Sequence, residues 1–237
     1  MGATEPPILY ITNSETLQKR TNKEAKWIGE EVKEYTPNFR YATAVTKPYK
    51  GTRKNPKPFH FYNLIAYMQA EYEVVISEDG LEADDMMCIK QANHKKREAG
   101  VETVICSRDK DLRICPGWHF SWECGKQRSV GPHLTDVIGS LGVGHSGKTL
   151  GYGLKMFYYQ MLVGDSADNI PGCPKVGDKG ALKLLEGVNS ELELFKIVQR
   201  EYIARVGKEK AKKFFMEQAS LLWMVQRKGQ GYEIPRR

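Results

Sequence analysis

Residues 73–87 read EVVISEDGLEADDMM, an apolar β-branched run followed by a turn and then by Glu82, Asp84 and Asp85. The run predicts a buried strand, and the residues after it predict a helix over 83–100 that ends at a glycine behind a basic last turn. Ligands of open α/β sheets bind beyond the carboxyl ends of the strands. The three acids at the start of this helix are therefore candidate site residues.

Two further acidic clusters occur along the chain. The run TVICSRDKD at 103–111 predicts a strand that leads into Asp109 and Asp111, and Asp165 and Asp168 lie in GDSADN at 164–169. One such pair alone is most often a helix cap or a turn, but three pairs favour a shared site. Carboxylates without histidine or cysteine neighbours suit Mg²⁺ or Mn²⁺, and two such ions about 4 Å apart support phosphodiester hydrolysis.

The segment 40–58 is strongly basic, because no acid occurs between Glu34 and Glu71. Tyr49 and Lys54 lie in it, among further lysines, arginines and aromatic residues. Positive charge interleaved with aromatic rings suits a single-stranded nucleic acid. The alternative is an exposed loop with core aromatics at its ends. Its prolines and its glycine predict a mobile loop or arch.

Strands and helices alternate in the first two thirds of the chain, which predicts an α/β fold with a parallel sheet. Further predicted elements are a strand at 8–12 and helices at 22–35 and 58–70. The glycine-rich stretch 142–153 predicts a linker or a flexible turn. We therefore divide the chain into a domain at 1–152 and a second module at 153–237.

The second module contains GDSADNIPGCPKVGDKGALKLL at 164–185. Gly172 and Gly177 frame a turn that opens a helix carrying Lys179, and such a turn can present backbone N–H groups to a DNA phosphate. The carbonyl groups of a helix-hairpin-helix turn can also hold a monovalent cation, which would be K⁺. The alternative is an ordinary glycine-rich turn between two helices.

The sequence GVGHSGKT at 142–149 matches the phosphate-binding pattern GxxxxGK[ST]. A nucleotide-binding loop of this kind follows a strong strand, whereas DVIGSL before it is a poor strand with an internal glycine. A P-loop NTPase is therefore the least favoured hypothesis, and we interpret the stretch as part of the linker.

The amino-acid composition limits the class of protein to which the chain can belong. The 237 residues are 41% hydrophobic with a net charge of +7, which suits a globular protein that meets polyanions. We expect no membrane span and no secretory signal. Five widely spaced cysteines favour reduced thiols over a disulfide framework, and hence a cytoplasmic location. We expect a monomer.

GLEADDMM, ICSRDKDLRIC and LVGDSADNIPGCPKVGDKGA resemble, in order and spacing, the motifs of the flap endonuclease and 5′–3′ exonuclease family. That family includes bacteriophage exonucleases and the 5′-nuclease domain of bacterial DNA polymerase I. PYKGTRK at 48–54 is similar to its basic arch motif. The resemblance covers roughly residues 40–190, and the compact chain favours a phage version acting in the bacterial host cytoplasm.

The resemblance implies a PIN-like parallel-sheet nuclease domain, a C-terminal helix-three-turn-helix (H3TH) DNA-binding module, and hydrolysis of 5′ ends, flaps or nicks in DNA, or of RNA primers in RNA–DNA hybrids. Lys50 and Arg53 would contact the scissile phosphate. Two Mg²⁺ or Mn²⁺ ions would be bound by Glu82, Asp84, Asp85, Asp109, Asp111, Asp165 and Asp168. The DNA contacts would come from Tyr49, Lys54, Gly172, Lys175, Gly177 and Lys179.

The chain departs from the family pattern in two places. Members begin with a strand that ends in aspartate, and the next strand ends in another, yet ILYITNS at 8–14 offers only Asn13. Lys175 also stands where a glycine is common in the turn. These departures leave three alternatives open, namely a nuclease with an incomplete first metal site, a chain completed by a missing N-terminal segment or a partner chain, and a DNA-binding relative without cleavage.

Overall fold

The computed structural model describes residues 5–94, 103–144 and 147–236. The strands are β1 (Ile8–Ile11), β2 (Glu73–Ile76), β3 (Val104–Cys106), β4 (Gly117–Ser121), β5 (Val130–Thr135), β6 (Leu141–Val143) and β7 (Thr149–Gly151). The helices are α1 (Glu15–Ile28), α2 (Phe39–Thr43), α3 (Phe61–Glu71), α4 (Ala83–His94), α5 (Gly153–Val163), α6 (Asp178–Leu185), α7 (Glu191–Val206) and α8 (Lys208–Leu222). A 3-10 helix spans Asp111–Ile114.

The strands form a mixed α/β structure rather than the one parallel sheet that the sequence predicts. β1 pairs with β2 in parallel, and β3 pairs with β4 in parallel, but these pairs belong to separate sheets. β5 then joins β4 in the antiparallel direction. The prediction of parallel pairing is right within each pair and wrong for the whole, because neighbouring strands are chosen by tertiary packing that local patterns do not encode.

Helix boundaries follow capping chemistry more closely than the predicted periodicity. The helix predicted over 22–35 instead begins at Glu15, because the Ser14 side chain accepts a hydrogen bond from the Leu17 N–H. It ends at Ile28 and is capped by Gly29 in the left-handed region. The helix predicted over 83–100 is described as far as His94, and its predicted end at Gly100 lies outside the described residues.

Of the two alternatives predicted for 142–153, the structure contains a turn and not a linker over most of the stretch. β6 and β7 form an antiparallel hairpin in which Gly142 pairs with Leu150, so GVGHSGKT forms the end of a β-hairpin and not a strand-to-helix phosphate loop. A glycine-rich run serves as well in a tight hairpin as in a linker, which is why composition could not separate the two. The part of this loop at 145–146 lies outside the described residues.

The hydrophobic core centres on α5, whose sequence GLKMFYYQMLV is apolar on nearly all sides. α6, α7, α8 and the 3-10 helix all pack against it. The core cluster also includes Tyr49, Cys88 and Ile105, which precede the predicted boundary at 152. The division into 1–152 and 153–237 stays a prediction, and the core is continuous across it.

The structure corrects the expectation of five reduced cysteines. Cys88 on α4 and Cys115 after the 3-10 helix form a disulfide with their Cα atoms 5.9 Å apart, whereas Cys106, Cys124 and Cys173 are free thiols. The pair is separated by 27 residues, and an odd number of scattered cysteines gave no sign of it. In the described part of the chain, every helix is too short or too polar to cross a membrane.

Candidate active site

The acidic residues lie along one edge of the fold because each of them is at the start of a helix or just past the end of a strand or helix. Glu82, Asp84 and Asp85 are at the start of α4, and Asp109 follows β3. Asp111 opens the 3-10 helix that packs on α5. Asp165 and Asp168 follow α5 in a short loop that closes through backbone hydrogen bonds between Asp165 and Ile170.

Tyr49 ties two of these clusters together. Its hydroxyl lies 3.0 Å from Glu82 Oε2 and 3.0 Å from Asp168 Oδ2. A hydroxyl carries one proton, so it donates to one carboxylate at a time. Tyr49 is buried, with only 5% of its surface exposed, and its predicted contact with DNA stays a prediction. In this structure its hydroxyl fixes the spacing of Glu82 and Asp168.

The basic segment is docked on the acidic edge at its PYKGTRK portion. The Lys50 N–H donates to the Asp168 carbonyl at 3.0 Å, and the Asn169 side chain donates to the Pro48 carbonyl at 2.9 Å. Lys50 adopts φ 54, a left-handed conformation that is unusual for a residue with a side chain. The predicted mobile arch is therefore anchored at 48–51, although residues 51–60 are exposed.

Both predicted phosphate-contacting residues lie among the carboxylates. The Lys50 ammonium forms an ion pair with Glu82, and Arg53 Nη2 lies 2.6 Å from Asp168 Oδ1. The Lys50 side chain is only 15% exposed, whereas that of Arg53 is 57% exposed. Lys50 is thus held close to the acids, while Arg53 reaches outward from them.

Lys110, which the sequence analysis missed, links the acidic cluster at 109–111 to the one at 165–168. Its ammonium lies 2.8 Å from Asp111 Oδ1 and also pairs with Asp165. Burial alone would lower the pKa of Lys110, but Asp111 and Asp165 raise it well above its ordinary value. Asp111 further accepts a hydrogen bond from the buried Gln160. Burial, with repulsion from Asp109, raises the pKa of Asp111 to about 6.

Among the described acids of the site, Asp84 and Asp109 both lack a counterion, but Asp109 accepts a hydrogen bond from the Asp111 N–H at 3.0 Å, whereas Asp84 does not have such a contact. In the described ranges, the Asp84 carboxylate makes no ion pair and accepts no side-chain hydrogen bond. Burial raises the pKa of Asp84 to about 7, with further contributions from the negative charges of Asp109 and Glu82. The site therefore carries unbalanced negative charge at Asp84.

This imbalance predicts an unusual dependence of stability on pH. The folded-state pKa of Asp84 is about 7 and that of Asp111 about 6, both above the ordinary value of 3.8, so the folded chain holds more protons than the unfolded chain between about pH 4 and pH 7. The free energy of unfolding in EDTA should fall as pH rises through this window and then level off. Urea denaturation at pH 5, 6, 7 and 8 measures it, and a steady rise towards pH 8 would contradict the assignment.

Asp85 does not fit its predicted role as a metal ligand. It is fully buried, and both of its oxygens accept hydrogen bonds from the Arg40 guanidinium, at 2.7 and 2.8 Å. The backbone N–H groups of Glu82 and Val225 complete its contacts, each at 3.0 Å. No free lone pair of good geometry remains for an ion. Arg40 is 45 residues away from Asp85 in the chain, so no local sequence pattern could predict that the two residues pair.

The remaining acids fit a divalent ion by donor chemistry. Glu82, Asp84, Asp109, Asp111, Asp165 and Asp168 offer only oxygen, which suits Mg²⁺ or Mn²⁺, and a cation would relieve the unbalanced charge at Asp84. Within 5–94, 103–144 and 147–236, however, no three histidine, cysteine or acidic side chains already converge as a metal site. Lys50, Arg53 and Lys110 hold four of the six acids instead.

The predicted DNA-binding turn is only partly accessible. Lys175, Gly177 and Lys179 are exposed, and Gly177 caps the start of α6. Gly172 is buried, and its N–H donates to Gln218 at 3.1 Å, so this N–H is not free to bind a phosphate. Lys175 stands where a glycine is common and adopts φ 61, the backbone conformation that glycine would take most easily.

Sequence comparisons place the chain among known proteins. No protein-family profile matches it. It is 32% identical over 186 residues to DNA polymerase I of Bacillus subtilis (strain 168), which covers 74% of this chain and 19% of the polymerase. It is 28% identical over 176 residues to flap endonuclease Xni of Shewanella piezotolerans (strain WP3), covering 72% of this chain and 61% of that protein. The chain thus spans less than two thirds of either relative.

Among solved structures, the bacteriophage T5 D15 flap endonuclease, crystallised as a pseudo-enzyme–product complex with DNA and metal ions, aligns with 91% of this chain at 14% identity. The TM-score is 0.44, a loose agreement of the backbones. On the sequence relationships, the chain is a distant relative of the 5′-nuclease and flap endonuclease family. The resemblance of the motifs to that family is confirmed.

Proposed function

We propose that the chain is a metal-dependent 5′ nuclease that hydrolyses phosphodiester bonds at 5′ ends, flaps or nicks of DNA. The observation that supports this most strongly is the docking of Lys50 and Arg53 onto an edge where Glu82 and Asp168, acids from distant parts of the chain, share the Tyr49 hydroxyl. Phosphodiester hydrolysis needs both signs of charge in one place, because the carboxylates bind the metal ion and the basic side chains neutralise the phosphate.

The residues divide the work by their accessibility. Arg53 and the exposed Lys54 meet the approaching DNA backbone, while Lys50 lies deeper, where it can neutralise charge that develops on the scissile phosphate. Asp84 and Asp109, with Glu82 and Asp111 beside them, would hold Mg²⁺ or Mn²⁺. When bound, the ion would activate a water molecule and stabilise the leaving oxygen. Tyr49 keeps Glu82 and Asp168 at a fixed separation.

The second module would bind the duplex beside the cut. Lys175 and Lys179 point into solvent near the start of α6, where backbone N–H groups attract phosphate. We retain the H3TH assignment, the K⁺ site in the 172–177 turn, the monomeric state and the cytoplasmic location as predictions. An RNA–DNA hybrid remains an alternative substrate to DNA.

A second function, DNA binding without cleavage, is favoured by one observation. The loop after β1 holds Asn13, whose backbone N–H donates to Ser77 Oγ at 2.9 Å and whose side-chain amide donates to Gln18 at 2.8 Å. Asn13 brings no negative charge to the acidic edge. If two ions need a carboxylate there, the chain would bind 5′ structures and leave them intact.

Cleavage of a labelled 5′ flap and a nicked duplex separates the two functions. The purified chain is incubated with each DNA in Mg²⁺, in Mn²⁺ and in EDTA, and flap affinity is measured in parallel by anisotropy. We expect cleavage in either metal and none in EDTA. Flap binding without cleavage would support the binding function, and absence of both would refute the proposal. Lys148→Ala serves as a matched lysine control outside the site and should leave cleavage unchanged.

A further inference from the structure

Arg40 is a fully buried arginine whose donors are almost all engaged. Nη1 and Nη2 contact the two oxygens of Asp85, Nε donates to the Leu221 carbonyl at 3.0 Å, and Nη2 also donates to the Trp223 carbonyl at 2.6 Å. A forked guanidinium is the one side chain that can make this set of planar contacts at once.

The acceptor side is equally complete. Asp85 Oδ2 accepts from Arg40 and from the Glu82 N–H, and Asp85 Oδ1 accepts from Arg40 and from the Val225 N–H. The pair therefore joins three parts of the chain, namely α2, the first turn of α4, and the end of α8 with the residues that follow it. A buried ion pair of this kind is weak evidence for stability but strong evidence for a fixed arrangement of the groups it contacts.

The Arg40–Asp85 pair is in contact with Glu82, one of the residues of the acidic edge. Glu82 donates its N–H to Asp85, and its Oε2 atom lies 3.7 Å from Arg40 Nη1. The other oxygen of Glu82 pairs with Lys50. Movement of the Arg40–Asp85 pair would therefore turn Glu82 relative to Lys50 and Tyr49.

We infer that Arg40 and Asp85 act as one positioning unit for the active site, which orients Glu82 and fastens the segment 221–225 to the start of α4. Asp85 takes part through Arg40 and binds no ion itself. This inference rests on the proposed nuclease function for its effect on catalysis, and on the structure alone for the coupling of the two segments.

Arg40→Lys, Asp85→Asn and their combination test the unit. Lysine keeps the positive charge but cannot contact both oxygens of Asp85 in the way that the planar guanidinium does. We expect each single variant to weaken Mn²⁺ binding and to lower kcat by about tenfold, while KM stays within about twofold. Because both residues act through the same contact, the combination should be no worse than the poorer single variant. All rates are measured at a temperature well below the unfolding midpoint of every variant. The matched control is Arg205→Lys, because Arg205 forms an ion pair with Glu201 on the same helix, outside the site.

Two results would overturn the inference. If Arg40→Lys keeps parental Mn²⁺ affinity and kcat while Asp85→Asn loses both, Asp85 acts independently as a ligand. If the losses multiply in the combination, the residues are not one unit. Should Asp85→Asn fail to fold, Arg40→Lys alone decides, because parental values in it refute positioning.

Hydrogen exchange makes the test independent of the proposed function. The amides of Glu82 and Val225 both donate to Asp85, so both should exchange at least tenfold faster in Arg40→Lys than in the parent, and neither should change in Arg205→Lys. If the parent neither binds Mn²⁺ nor cleaves, the nuclease proposal has failed, while exchange still decides the coupling. Unchanged exchange at either amide would refute it.

Discussion

Asp84→Asn should abolish metal-dependent cleavage and make the chain more stable at the same time. Asp84 is one of two acids of the site, with Asp109, that have no counterion among the described residues, and burial together with Asp109 and Glu82 raises its pKa to about 7. Its ionised form therefore destabilises the metal-free fold. Asparagine keeps the shape and removes the charge, which relieves the repulsion but weakens the hold on a cation.

We expect the cleavage rate to fall by roughly 10²-fold or more, an order typical of losing a group that acts on the reacting charge. The free energy of unfolding at pH 8 in EDTA should rise by about 1–3 kcal/mol, because a pKa difference of one unit corresponds to about 1.4 kcal/mol and part of it is screened by solvent. Most substitutions destabilise a protein, so loss of cleavage together with a gain in stability is diagnostic.

The measurements are a flap-cleavage time course and urea denaturation at pH 5 and pH 8. At pH 5 the parent is largely protonated at Asp84, so the stabilising effect should shrink there. Asp136→Asn, on an exposed turn after β5, is a matched control that should change neither quantity. Loss of cleavage with loss of stability at pH 8 would show that Asp84 has a structural partner in the folded state.

The sequence alone was sufficient to predict features that depend only on residues close together in the chain. EVVI at 73–76 is a strand and the acids at 82–85 do open a helix, because β-branched runs and helix starts are local signals. The rule that ligand sites form beyond strand ends also located the acidic edge. These inferences need no knowledge of which strands are neighbours.

Features that depend on distant partners were beyond the sequence. Asp84 and Asp85 are adjacent identical residues, yet one lacks a counterion and the other is held by Arg40 and by the backbone of Val225. Tyr49 lies in a basic stretch typical of an exposed loop, but docking of that turn on Asp168 and Asn169 buries it. Side-chain roles of this kind are decided by packing across 45 to 140 residues of chain.

Lys50→Ala and Lys54→Ala should separate catalysis from DNA binding. Lys50 is nearly buried against Glu82, whereas Lys54 is exposed on the segment that precedes α3. A buried cation beside the carboxylates can act on the scissile phosphate but contributes little to long-range attraction, and an exposed one does the opposite. The same chemical change at two nearby lysines therefore tests two roles.

For Lys50→Ala we expect kcat to fall by roughly 10²–10³-fold, the order seen when one donor to a developing anion is removed, with flap affinity within about threefold of the parent. For Lys54→Ala we expect nearly parental kcat, weaker flap binding, and a salt dependence of log Kd reduced by about one unit of slope, because about one phosphate contact is lost. Single-turnover cleavage and anisotropy from 50 to 200 mM salt give these values. A Lys50→Ala variant that cleaves normally but binds DNA weakly would exchange the two roles, and would place the scissile phosphate nearer to Lys54 and Arg53 than to Glu82.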